Sequence, residues 1–216
     1  VGFNGAVLPS FAFRPDTAIE PLIVKAVDSA QKSVRLALYE FNLDDIMAAL
    51  RRAKERKLKI EIVIDRSHVY TTGKDSTGRP RKPSQEIQAL IKEGFDVLIL
   101  KGEKSGIMHN KYVLLDAEDK GLVMWGSYNF ADTAERNHYE NVMFSNDAFD
   151  IADYLAYFEY KRRQALPVDY DKLEEVLMRG LEPDDEVSPE RMSHDERDSK
   201  LPPPPESTAP PINLNG

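Results

Sequence analysis

The sequence predicts an α/β protein in which a largely parallel or mixed β-sheet is covered by helices, and three observations carry that prediction. Segments of strand and helix periodicity alternate through residues 17–100, the β-α-β order of a sheet whose crossovers are helical. Two later strand-like runs, 107–115 and 122–125, flank the polar turn 117–121 and read as an antiparallel hairpin. The chain has 216 residues and 41% hydrophobic content, which suffices for one domain with a sizeable core and a short appendage.

In chain order, residues 1–14 are an apolar stretch interrupted by Pro9, read as an edge strand or docking arm. Asp16 or Thr17 is placed to cap a helix reaching about Gln31, with Ile19, Leu22, Ile23, Ala26, Val27 and Ala30 at helical spacing. Residues 33–41 (SVRLALYEF) form a strand. Asp44 or Asp45 opens a second helix carrying Ile46, Ala49, Leu50 and Ala53 on one face, and 59–65 (KIEIVID) is the next strand. Ser84 caps a helix through Ile87, Leu90 and Ile91 that Gly94 stops, and 95–100 is a strand. Later segments read as a short helix at 130–136, a strand at 138–144, and a long helix at 147–163. The cations Lys161, Arg162 and Arg163 suit the C-terminal end of that long helix. Pro167 breaks the chain, and 170–178 reads as a last helix. The globular body is expected within 1–180, and the acidic, proline-rich stretch 181–216 as a linker or flexible tail.

The least interchangeable side chains lie in 107–129. Strand alternation puts His109 and Lys111 on one face, and Met108, Asn110 and Tyr112 on the other. A neutral imidazole is a usable nucleophile near pH 7, and an ammonium two residues away is placed to neutralise an anionic oxygen, a pairing suited to attack on phosphorus. After the hairpin, Gly126 lets the backbone approach a ligand closely, and Ser127 and Asn129 present a hydroxyl and an amide for phosphate oxygens. Glu140, followed by Asn141, is placed to accept a histidine Nδ1 proton and leave Nε2 free. Any one of these residues alone reads more simply as packing or surface; it is their combination that points to chemistry. His68 and His194 read as peripheral.

The set His109-x-Lys111-x4-Asp116, then Gly126-Ser127-x-Asn129 and Glu140-Asn141, resembles the HKD signature of the phospholipase D superfamily, in particular its single-HKD, Nuc-like endonuclease and phosphodiesterase group. One departure is the spacer before Gly126, longer than the usual about six residues, which a longer hairpin turn at Glu118, Asp119 and Lys120 absorbs. The resemblance implies a mixed β-sheet flanked by helices on both faces. It also implies metal-independent phosphodiester cleavage without a cofactor, through a phosphohistidine, with a second HKD histidine as acid. The chain has one such stretch, so the resemblance implies a homodimer in which His109 and Lys111 of two copies meet across a two-fold axis. Lys111 and Asn129 would hold the non-bridging oxygens with Ser127 nearby, Glu140 would orient an imidazole, and Asp116 would act structurally.

Charge narrows the partners. The net charge is −8, yet residues 1–180 carry 26 Lys and Arg against 28 Asp and Glu, so the body is close to neutral and a nucleic-acid site must be a local patch. The clearest such patch is 66–83, with Arg66, Lys74, Arg79, Arg81 and Lys82 against Asp75. Of these, Arg66, Arg79, Arg81 and Lys82 are the candidate substrate contacts, weighed against a simple solvated connection. Nucleic acid, DNA before RNA, is the expected substrate. Phospholipid is the alternative, and a non-cleaving nucleic-acid-binding module a third reading. No apolar run approaches membrane-spanning length and no cysteine is present. The chain opens on Val1, so compartment is left open between a processed secreted or periplasmic form and a fragment of a longer protein.

Overall fold

The first residues form short strands rather than one arm. β1 (Gly2–Phe3) and β2 (Ala6–Val7) pair as a hairpin that turns at Asn4 and Gly5, both at positive φ, as a tight two-residue connection requires. β3 (Phe11–Phe13) then joins an edge of the main sheet. The structure is a computed structural model, which describes residues 1–69, 85–104 and 106–169. Its further elements are α1 (Glu20–Ser29), β4 (Ser33–Leu38), α2 (Asp44–Glu55), β5 (Lys59–Asp65), α3 (Arg66–Val69), α4 (Gln85–Lys92) and β6 (Asp96–Leu100). They are followed by β7 (Lys111–Leu115), β8 (Leu122–Gly126), α5 (Asp132–Arg136), β9 (Asn141–Ser145), α6 (Ala148–Gln164) and β10 (Leu166–Pro167).

Among the described residues eight strands make one sheet in the order β10-β6-β5-β4-β7-β8-β9-β3. β4, β5 and β6 run parallel, and every other pairing is antiparallel, so the sheet is mixed as expected. Period-two alternation decides the two faces. Val34, Leu36 and Leu38 of β4, Ile60, Ile62 and Ile64 of β5, and Val113 and Leu115 of β7 point to one side. There they bury against Ile23 and Val27 of α1, Ile46 and Leu50 of α2, and Leu90 of α4. Ala37, Val63, Tyr112, Leu114 and Val123 point the other way, under Ile151 and Phe158 of α6. Helices therefore cover both faces, because each strand carries apolar residues at both parities.

Several expected boundaries move. The helix expected from residue 17 begins at Glu20 with Pro21 in its first turn, and neither Asp16 nor Thr17 caps it. Its first amides are met from far along the chain instead: the backbone N–H groups of Ile19 and Glu20 donate to Glu135 Oε2, at 3.3 and 3.2 Å. The 33–41 strand stops at Leu38, and the 66–83 stretch opens with the helical turn α3. The strand expected at 138–144 is β9, so Glu140 precedes it. α6 is capped by Asp147, whose carboxylate accepts from the amides of Phe149 and Asp150. The expected cap at Ser84, the helix at 170–178 and the tail 181–216 lie outside the described residues.

The cations at the end of α6 do more than meet the helix dipole. Lys161 is buried, and Arg162 reaches Glu61 Oε1 at 2.9 Å and Asp96 Oδ2 at 2.8 Å. Glu61, itself buried on β5, also lies 2.9 Å from Arg35 Nε and from Lys59 Nζ. The underside of α6 thus rests on a charged cluster in which buried Arg35 and Glu61 are paired with each other, while Lys161 has no carboxylate partner among the described residues.

Candidate active site

Strand direction brings the candidate residues to one edge of the sheet. β4 and β5 end there, β7 begins there, β8 runs antiparallel to β7 and ends there, and β9 starts there. Residues just outside those strand ends, namely Tyr39, Asp65, His109, Ser127 and Glu140, must therefore share that edge. Asp116 follows the opposite end of β7, where it meets the start of β4. The structure does not bring it to His109: seven residue steps of extended chain separate them, roughly 20 Å.

The expected strand 107–115 is regular only from Lys111, and His109 lies in the extended approach to it. Two contacts fix that approach. Tyr39 N donates to Asn110 O at 2.8 Å, and Met108 N donates at 2.6 Å to Asp65 Oδ2, a carboxylate buried at the end of β5. Asp65 had no signal in the sequence beyond its place at a strand end. His109 is exposed, with its ring centroid 4.7 Å from that of Tyr39 in an edge-on contact. The opposite contact of Tyr39 is His68, also at 4.7 Å, so a histidine read as peripheral stands one ring away from His109.

Burial and the nearby Lys111 ammonium hold the His109 imidazole below its usual pKa, with Asp65 pulling the other way. It is accordingly neutral, and nucleophilic, at neutral pH. Lys111 is buried, and its Nζ donates to His109 O at 2.9 Å and lies 5.5 Å from the Tyr39 ring centroid. Burial lowers its pKa, against the raising effect of Glu140 and Glu40.

Gly126 is required for a reason different from ligand approach. A Cβ there would stand 2.1 Å from the backbone oxygen of Asn141, so only glycine lets β8 and β9 close at this point. Ser127 is exposed; its hydroxyl donates to Glu140 Oε2 and accepts from Asn141 N at 3.1 Å. Glu140 Oε1 lies 3.7 Å from Nδ1 of the exposed His138. Within one chain, then, Glu140 contacts Ser127 and His138, and its expected hydrogen bond to His109 Nδ1 is not formed. Asn129 Oδ1 is buried with no hydrogen-bond partner among the described residues; as an acceptor it has room for a donor, and a phosphate oxygen would have to be met by the Nδ2 group instead. Of the basic stretch, Arg66 opens α3 directly after β5, at the same edge; Arg79, Arg81 and Lys82 lie outside the described residues. Among the described residues no three His, Asp or Glu side chains group closely enough to hold a metal ion.

Behind the edge, burial pushes the Lys161 amine down to about 7. The unfolded amine titrates near 10.5, so the unfolded state binds the extra proton between the two values. Stability is therefore fully present above about 10.5 and is lost as pH falls toward about 7. Relative to Lys161→Met, the wild type should gain on the order of a few kcal/mol when pH is raised from 7 to 10.5. The difference between the two urea midpoints at those pH values measures it, and an unchanged difference would overturn the assignment.

Residues 23–162 match the family described as cardiolipin synthase, PLD-like domain. The chain is 30% identical over 146 residues to phospholipase D of Rickettsia prowazekii, a match covering 68% of this chain and 63% of that relative. It is 24% identical over 156 residues to the mitochondrial cardiolipin hydrolase of Xenopus laevis, covering 72% and 66%. The chain thus spans less than two thirds of the length of these curated relatives. Among solved structures it is similar to NucT from Helicobacter pylori, at TM-score 0.61 and 26% identity over 74% of this chain and 98% of that one. It is likewise similar to Nuc from Salmonella typhimurium, a phospholipase D family member, at TM-score 0.57 and 27% identity over 72% and 93%.

Proposed function

This chain belongs to the phospholipase D superfamily, and from that premise we propose that it is a metal-independent phosphodiesterase cleaving nucleic-acid phosphodiester bonds, with a site completed by a second copy. The observation that carries the reading is the convergence of neutral, exposed His109 with buried Lys111 at one sheet edge, where Asn129 follows the end of β8. His109 Nε2 of the copy that is neutral attacks phosphorus as the bond to the leaving oxygen breaks, and His109 of the partner subunit, in its imidazolium form beside the anionic substrate, gives that oxygen its proton. The same partner imidazole then takes a proton from water, whose oxygen displaces the phosphohistidine nitrogen. Lys111 and Asn129 stabilise the non-bridging oxygens, with Ser127 beside them and Glu140 orienting an imidazole across the pair. Asp116 takes no part in the chemistry. The catalytic domain lies within 1–180, with 181–216 an appendage to it.

For nucleic acid speak the start of the basic stretch at Arg66 and the ring of Tyr139, 88% exposed and next in the chain to Glu140. A cation and an exposed ring suit the phosphates and bases of a single strand. Arg79, Arg81 and Lys82 are proposed to extend that contact. Phospholipid hydrolysis is the second reading, and one feature favours it. Phe11, Phe13 and Met143 are exposed on the β3 and β9 edge that leads directly to Glu140, an apolar rim of the kind a lipid interface accepts.

The two separate in one assay with the purified chain in EDTA. Single- and double-stranded DNA, RNA and anionic phospholipid vesicles are offered in parallel. Turnover of nucleic acid, with single-stranded DNA fastest, is expected. Turnover of lipid alone transfers the reading to the phospholipase, and binding without turnover to a non-cleaving module. Sedimentation of the active species as a monomer would remove the shared site.

A further inference from the structure

His109 and Lys111 point to one face of the sheet, and the residue between them points to the other. The Asn110 side chain passes under α6, where its Oδ1 accepts from Lys161 Nζ at 3.0 Å. Lys161 is 3% exposed, and its Nζ lies 3.4 Å from the Tyr157 ring centroid and 4.5 Å from that of Tyr112. Among the described residues no carboxylate lies within 4.0 Å of it, although Arg35 and Arg162 nearby are both paired with Glu61. An amine buried this way costs more than an apolar side chain of the same length would, so packing alone does not account for it. What a methionine at 161 could not supply is the directional bond to Asn110. That bond matters where it falls: His109 lies outside the regular ladder, and Lys111 Nζ is itself held by His109 O. A rotation at residue 110 would displace nucleophile and cation together.

We propose that Lys161 is a positioning residue for the His109 to Lys111 segment, acting from the covered face of the sheet through the side chain of Asn110. The two candidate groups for phosphoryl transfer are then clamped from three directions: Tyr39 N on Asn110 O, Asp65 on Met108 N, and Lys161 on the Asn110 amide. The catalytic consequence rests on the phosphodiesterase reading, while the positioning itself does not.

The test compares wild type with Lys161→Met, Asn110→Ala, the double variant and Lys161→Arg, each checked for folding by circular dichroism. The first readout is the pH titration of the His109 imidazole by proton NMR, assigned with His109→Ala. In Lys161→Met and Asn110→Ala it should move up toward the ordinary imidazole value, because the displaced ring loses its partly buried place and its fixed distance from Lys111. The second readout is cleavage of a single-stranded DNA oligonucleotide. Here kcat should fall about ten- to a hundredfold with KM changed by less than about threefold, the mark of misplaced reacting groups. The double variant should be no worse than the poorer single, and Lys161→Arg, which keeps a donor over the same rings, should recover part of the loss. Unshifted His109 titration in both single variants overturns the proposal. If wild type cleaves nothing, the functional reading fails while the NMR arm still decides the positioning.

Discussion

His109→Ala is expected to lower phosphodiester turnover by at least about a thousandfold, because in a symmetric site the change removes both nucleophile and general acid at once. The residue is exposed and, among the described residues, its ring makes one aromatic contact, with Tyr39, so the thermal midpoint should hardly move. That separation makes the experiment decisive: wild-type-like turnover by the folded variant would remove His109 from the chemistry. The pH profile adds a second constraint. The attacking imidazole must be neutral, and burial with Lys111 depresses its pKa, so the acid limb of kcat/KM should fall below the ordinary imidazole value. In Lys111→Met that limb should move up, since one of the two depressing influences is gone.

Asp116→Ala should produce the largest loss of stability and little direct loss of chemistry. Asp116 is buried and in the left-handed region at φ 48°, a conformation aspartate tolerates better than most residues. From there its carboxylate accepts from the backbone amides of Gln31 at 2.9 Å, Lys32 at 2.7 Å and Ser33 at 2.9 Å, and from Asn4 Nδ2 at 2.7 Å. It ties the α1–β4 connection and the N-terminal hairpin to the far end of β7. Alanine would strand three amides without an acceptor, at about 3–5 kcal/mol. Asp116→Asn keeps one acceptor oxygen and should lose less. Urea midpoints measure both. Folded Asp116→Ala protein, assayed well below its melting point, should turn over within a few-fold of wild type. A stable but inactive variant would instead put this residue in the chemistry.

How much of this was legible in advance follows from the range of each interaction. The alternation of 59–65 and the helical spacing of Ile46, Ala49, Leu50 and Ala53 are local patterns, and β5 and α2 occur where those patterns put them. Gly94, at φ 73°, stops α4 as a C-terminal glycine does. Boundaries failed where a distant residue supplied what a neighbour was expected to supply. The α1 amides are met by Glu135, more than a hundred residues along, so no cap was readable near residue 16. Arg162 likewise looked like a helix-end cation until Glu61 and Asp96 were brought under it.

By itself the sequence determined the α/β class, the residue types able to perform phosphoryl transfer, and their spacing along the chain, since periodicity and side-chain chemistry are properties of short segments. Only the tertiary structure decided that Tyr39, Asp65, His109, Ser127 and Glu140 share one sheet edge while Asp116 stands at the other. It likewise decided that Glu140 turns to Ser127 and that Lys161 lies buried behind Asn110. Strand order and direction settle such matters, and they arise from pairing between segments far apart in the chain, which no local pattern encodes.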